Sequence, residues 1–111
     1  SSFSEALLEQ IDRHGLTDPE VYRRANVDRK LFSKIRNNSQ YQPKKTTALS
    51  LAIALRLDLN ETLEVIGKAG YTLTPSSKAD LVVMYFIEHE NWDIDLINQV
   101  LFKFKLPLLA Y

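Results

Sequence analysis

Apolar residues recur every three or four positions along most of the chain, a period that predicts helices rather than strands. The first such stripe consists of Phe3, Leu7 and Ile11, and it follows a Ser-Phe-Ser-Glu capping box. Gly15 can adopt the left-handed conformation that commonly ends a helix. A first helix is therefore predicted at about residues 3–14.

Further capping residues and breakers predict six more helices, and the fold class is a compact all-α bundle of about seven short helices. A second capping box, Thr-Asp-Pro-Glu, opens a short helix that ends near Ala25. The third predicted helix spans residues 28–37 and is capped by Asp28. The fourth helix is predicted from Thr46 or Thr47 to about Leu57, and the fifth from a cap at Asn60 to a stop at Gly70. The sixth is capped by Ser76 or Ser77, and the seventh is capped by Asp93.

The C-terminal third is unusually apolar. Residues 81–87 have no polar position, which predicts a helix that is covered on more than one side or that contributes to an interface. The inward stripe predicted for the last helix consists of Ile94, Ile97, Leu101 and Phe104.

The apolar tail at residues 106–111 has two interpretations, because an exposed patch of this kind would be adhesive. It docks on the core, or it contacts a partner or a neighbouring domain. We divide the chain into a core at residues 1–71 and a helical extension at 72–111, and we expect the two to form one structural domain.

The amino-acid composition narrows the class of protein and its expected location. The hydrophobic content of 45% suffices for a core, and the longest apolar run is far too short to span a bilayer. The absence of Cys excludes disulfides and thiolate chemistry and is consistent with a reducing cytoplasm, where we expect the protein to be located. Because the chain begins with Ser, we expect an excised domain or a processed chain.

Charge is segregated along the chain although the net charge is zero. Residues 23–45 contain eight basic residues and one acid, a net charge of +7, whereas the remainder contains six basic and thirteen acidic residues, a net charge of −7. Such asymmetry is typical of a polyanion-binding face on a neutral body. An ordinary solvated surface is the alternative.

The third predicted helix lies within this basic stretch. Leu31, Phe32 and Ile35 can anchor it inward, which leaves a polar, basic side suited to a DNA major groove. The predicted base contacts are Arg29, Lys30, Ser33 and Lys34, with Asn37 at the rim. The predicted phosphate contacts, partly in the polar loop that follows, are Arg24, Arg36, Tyr41, Lys44 and Lys45.

Residues 8–63 resemble the lambda-repressor-like family of helix-turn-helix domains, the Cro-like and xenobiotic-response-element-type regulators. The matching residues are Gly15-Leu16-Thr17, Val27-Asp28, Phe32, Ile35 and the run from Leu51 to Leu63. The resemblance implies a five-helix core, binding to specific sequences of double-stranded DNA and a role in transcriptional regulation. Domains of this kind usually read palindromes as dimers, and the C-terminal helices are the available surface for a homodimer.

The chain departs from the family at the start of the second helix. Asp18 stands where the family often has Gln, and Glu20 lies close by, so both would repel a phosphate. Tyr22 stands where the family favours Ala. These acids, the zero net charge and the apolar extension leave an alternative function open, that of an adaptor or autoinhibitory protein-interaction module of a larger protein, without DNA binding.

Catalysis, metal binding and cofactors are not expected. Glu88, His89 and Glu90 are adjacent on a helix and point in different directions, so they cannot share one ion. The three Gly residues are dispersed and form no phosphate-binding loop.

Overall fold

The chain forms seven helices and no strand, which confirms the predicted all-α class. This architecture is that of a computed structural model, which describes residues 1–111. The helices are α1 (Phe3–Arg13), α2 (Asp18–Arg24), α3 (Arg29–Asn37), α4 (Lys45–Ala54), α5 (Leu59–Gly67), α6 (Lys78–Glu88) and α7 (Ile94–Lys103).

A side chain caps the N-terminus of every helix except α4. The predicted cap of α5 is wrong, because Asp58 rather than Asn60 caps it. Asp58 Oδ1 accepts from the backbone N–H of Glu61 at 2.8 Å, and Glu61 Oε1 accepts from the backbone N–H of Asp58 at 2.9 Å. α4 correspondingly ends at Ala54, earlier than the predicted Leu57.

Six of the seven helices end in the same way. A residue with positive φ follows the helix, and the next N–H donates to a carbonyl five residues earlier. Gly supplies two of these left-handed residues, as predicted, and the end of α2 near Ala25 was also predicted; the left-handed residues after α4, α6 and α7 were not recognised from the sequence. The six residues are Gly15, Asn26, Arg56, Gly70, Glu90 and Lys105. Only α3 ends differently, in an extended residue, Asn38.

The core is a single cluster of 27 buried hydrophobic residues centred on α4. Every residue from Thr47 to Ala54 is buried, because α2, α5 and α7 all pack against α4. None of the seven helices is both long enough and apolar enough to cross a membrane.

The C-terminal helices differ in part from the prediction. α6 is buried on one side, whereas Leu81 and Tyr85 on its other side are 47% and 58% exposed, so it is not covered all round. The alternative, that α6 contributes to an interface, stays a prediction. On α7, Ile94, Ile97 and Leu101 are buried as predicted, but Phe104 is 60% exposed. Phe104 lies beyond the helix end, next to the left-handed residue at which the chain turns away.

The tail packs on the rest of the chain. Leu109 is buried, and its backbone N–H and carbonyl both bond to the side chain of Asn98 on α7, at 2.8 and 3.2 Å. The backbone carbonyl of Thr46 on α4 accepts from the N–H of Ala110, and the hydroxyl of Thr46 donates to the carbonyl of Tyr111. These bonds hold the end of the chain against α4 and α7.

Candidate functional site

The inner side of α3 is held by apolar packing. Phe32 and Ile35 are buried and Leu31 is half-buried, as the sequence predicted. The ring of Phe32 packs on the half-buried ring of Tyr22 from α2, with centroids 5.6 Å apart. This packing fixes which side of α3 faces solvent.

The outer side of α3 forms one stripe, because its polar residues recur at helical spacing. None of its three cations forms an ion pair, and Ser33 Oγ accepts from Asn37 Nδ2 at 3.2 Å. Asp28 accepts from the Lys30 backbone N–H at 2.7 Å and so is occupied as the helix cap. The exposed residues of the stripe are the five predicted base contacts, Arg29, Lys30, Ser33, Lys34 and Asn37.

Arg36 and Asp18 form a two-pronged ion pair between the last turn of α3 and the first turn of α2. Arg36 Nη2 donates to Asp18 Oδ1 at 2.9 Å, and Arg36 Nε donates to Asp18 Oδ2. This hydrogen bonding raises the pKa of Arg36 above its usual range. The ion pair neutralises Asp18, the acid that would repel a phosphate. It also occupies Arg36, which was predicted to contact a phosphate.

Glu20, the second acid near the start of α2, is engaged with its own helix terminus. Its carboxylate accepts from the backbone N–H and the hydroxyl of Thr17, at 3.2 and 3.0 Å. The side chain is thereby drawn back over the first turn as the N3 member of a capping box.

Arg24 lies in different surroundings from the α3 stripe. Its Nη1 donates to the carbonyl of Ala54 at 3.4 Å, at the C-terminal end of α4. It lines a cavity of about 230 Å³ together with Arg56, Trp92 and other residues, none of which belongs to α3.

The loop after α3 is tied to the segment that follows α5. Gln42 Nε2 donates to the carbonyl of Ala69 at 2.8 Å, and Tyr71 Oη donates to the carbonyl of Pro43 at 2.7 Å. Tyr41, a predicted phosphate contact, is half-buried against the core. The loop is therefore held in place beside α3.

The two lysines at the end of this loop have different environments. Lys44 is exposed and forms no ion pair. Lys45 Nζ lies 2.9 Å from Oδ1 and 3.0 Å from Oδ2 of Asp80, a buried carboxylate on α6. Lys44 is thus free to contact a ligand at the surface, whereas Lys45 links α4 to α6 through Asp80.

No protein-family model, no curated protein and no solved structure matches the chain.

Proposed function

We propose that the chain binds double-stranded DNA in a sequence-specific manner through the outer side of α3, as a transcriptional regulator or part of one. The observation that carries the proposal is the exposed stripe with three unpaired cations, Arg29, Lys30 and Lys34, on a helix whose other side is buried. A short helix anchored in this way can enter a major groove with its cations at the base edges.

The contacts assigned to phosphate differ from those that the sequence predicted. Lys44 is the principal phosphate contact, because it is exposed and unpaired, and Tyr41 remains beside it. Arg36 and Lys45 are held by Asp18 and Asp80, and Arg24 by the end of α4. With fewer free cations at the rim, we expect modest affinity and a correspondingly shallow salt dependence.

The first experiment measures binding of a fluorescent duplex of random sequence, about 20 base pairs long, by anisotropy across a salt series. Affinity should fall as salt rises, with a slope of about −0.9 for each phosphate contact. No binding at low salt, or binding that does not change with salt, would contradict the proposal.

Variants separate the two kinds of contact. Lys44→Ala should reduce the magnitude of the salt slope by about 1 for every duplex tested. Arg29→Ala should relax selectivity at a base position identified by selection from a random pool, at a cost of about 1–3 kcal/mol for the preferred base. Lys78→Ala, an exposed cation at the start of α6, is the matched control and should leave both properties unchanged.

The second function that an observation favours is a protein-interaction module. Phe102, Phe104 and Tyr111 are all more than half exposed near the C-terminus, which is typical of a contact surface. Charge reversal of Arg29 and Lys30 distinguishes the two functions. It should abolish DNA binding, and it should leave a protein contact made through the C-terminal aromatics intact.

A further inference from the structure

A cavity of about 230 Å³ lies where the C-terminal ends of α2 and α4 meet the start of α7. Three arginines line this arginine cavity. Arg23 and Arg24 belong to the last turn of α2, and Arg56 belongs to the turn after α4. All three are exposed, and none forms an ion pair. Guanidinium groups that share a cavity without a counter-ion are suited to binding an anion.

The surroundings of the arginines leave donors available to a ligand. Arg24 Nη1 donates to the carbonyl of Ala54 at 3.4 Å, which holds the guanidinium at the wall of the cavity and leaves its other N–H groups free. Arg56 has φ 56°, a conformation in which Gly would be unstrained. A long cationic side chain therefore occupies a position where the backbone alone favours Gly.

Two carboxylates at the start of α7 also line the cavity, and both are engaged. Asp93 caps α7 and accepts from the backbone N–H of Leu96 at 3.1 Å. Asp95 accepts from Asn26 Nδ2 at 3.0 Å. Neither carboxylate lies within ion-pair distance of an arginine. The three cations exceed the two acids, so the cavity keeps a positive balance.

Trp92 forms a fixed wall of the cavity. Its Nε1 donates to the carbonyl of Leu57 at 3.0 Å, and the side chain is half-buried. A shallow, mainly polar depression shares Arg56, Trp92 and Asp93 with the cavity and extends over residues 89–91. A ligand whose anionic group enters the cavity thus has polar surface beside it for the rest of the molecule.

We propose that the arginine cavity binds the phosphate group of a small organic phosphate, whose polar remainder lies in the adjoining depression. Phosphate is favoured over carboxylate because its three acceptor oxygens can bond at once to Arg24 and Arg56, which approach from different helix ends. No residue of α3 lines the cavity, so the proposal does not depend on DNA binding.

The fluorescence of Trp92, the only tryptophan, reports on the cavity directly. Ribose 5-phosphate, titrated at constant ionic strength, should change the emission saturably, with a dissociation constant of about 1 mM. Inorganic phosphate should bind more weakly, and ribose or sodium chloride should have no effect. The absence of a saturable change up to about 30 mM ribose 5-phosphate would overturn the proposal.

Competing anions test the assignment to phosphate. Succinate should bind more weakly than ribose 5-phosphate, and equal affinities would contradict the assignment. A response to duplex DNA without a response to ribose 5-phosphate would overturn the proposal and assign the cavity to the DNA-binding surface. Inorganic phosphate that binds as tightly as ribose 5-phosphate would contradict the placement of the ligand's remainder in the depression.

Variants of the cavity identify the groups that bind. Arg24→Ala and Arg56→Gly should each weaken binding of ribose 5-phosphate about ten-fold through loss of a charge-assisted hydrogen bond. Arg56→Gly separates binding from folding, because Gly is unstrained there and the melting temperature should not fall. Asp95→Asn should tighten binding, since it removes a negative charge and still accepts from Asn26. Arg13→Ala, an exposed arginine at the end of α1, is the matched control. Unchanged affinity in both arginine variants would contradict the proposal.

Discussion

At the scale of single residues, the ends of the helices depend on backbone conformations that few side chains adopt easily. Gly70 has φ +86°, whereas Gly67 is the last residue of α5 and has no positive φ. A Cβ at either position would meet no atom within 4 Å, so only the backbone decides what a substitution does. The sequence could identify Gly70 as a stop, but it could not identify Arg56, Glu90 or Lys105, because those residues carry no conformational signal.

Alanine at these two glycines should therefore have opposite effects on stability. Gly67→Ala should raise the free energy of unfolding by about 0.5 kcal/mol through helix propensity. Gly70→Ala should lower it by about 1–2 kcal/mol, because Ala is strained in the left-handed conformation. Chemical denaturation of the two variants measures the difference, and a change of the same sign in both would contradict the assigned backbone conformations.

At the scale of elements, the sequence predicted the helices and most of their caps, because those signals are local. Ser2, Asp28 and Asp93 cap the helices that they were predicted to cap. The pairing between elements was not predictable, since Asp18 and Arg36 are 18 positions apart and have no periodic relation. For the same reason the sequence did not reveal that Lys45 pairs with Asp80, which is 35 positions away, and Lys45 was predicted to contact a phosphate instead.

Release of Arg36 from its ion pair should strengthen DNA binding. In Asp18→Asn the guanidinium loses its carboxylate and becomes free to contact a phosphate. Affinity for duplex DNA should rise several-fold, and the salt slope should steepen by about 0.9. The loss of stability should stay below about 1 kcal/mol, because both side chains are partly exposed.

Glu64→Gln provides the control for this change of net charge, since Glu64 is exposed on α5. Equal affinities of the Asp18→Asn and Glu64→Gln variants would mean that Arg36 lies away from the DNA.

Removal of Asp80 should destabilise the fold. Asp80 is 4% exposed and accepts from Lys45 Nζ and, at 2.9 Å, from the backbone N–H of Thr74. Asp80→Ala should therefore lower the free energy of unfolding by about 2–4 kcal/mol, because it leaves the partly buried N–H of Thr74 unpaired and breaks the ion pair with Lys45.

Thermal unfolding of both single variants and of the double variant forms a double-mutant cycle for this pair. Lys45→Ala should also destabilise the chain, and the double variant should lose less than the sum of the two single losses. Additive losses would show that the pair is not coupled. Unlike Lys44→Ala, Lys45→Ala should leave the salt slope of DNA binding unchanged.

At the scale of the whole molecule, the net charge is zero, but two parts of the surface differ in their chemistry. The α3 stripe is polar and cationic, and the exposed side of α7 carries the apolar side chains of Leu96 and Phe102 beside Asp95 and Lys103. The charge segregation and the α3 anchors were visible in the sequence. The exposure of Phe104 was not, because apolar residues at helical spacing are more often buried in the core.

The measurement that tests the central claim most directly is an NMR titration of the ¹⁵N-labelled chain with duplex DNA at low salt. We predict that the backbone amides of Arg29 to Asn37 and of Lys44 shift progressively, while those of the outer side of α7 shift little. The absence of shifts in α3 at saturating DNA, or shifts confined to other helices, would contradict the assignment of α3 as the DNA-binding element.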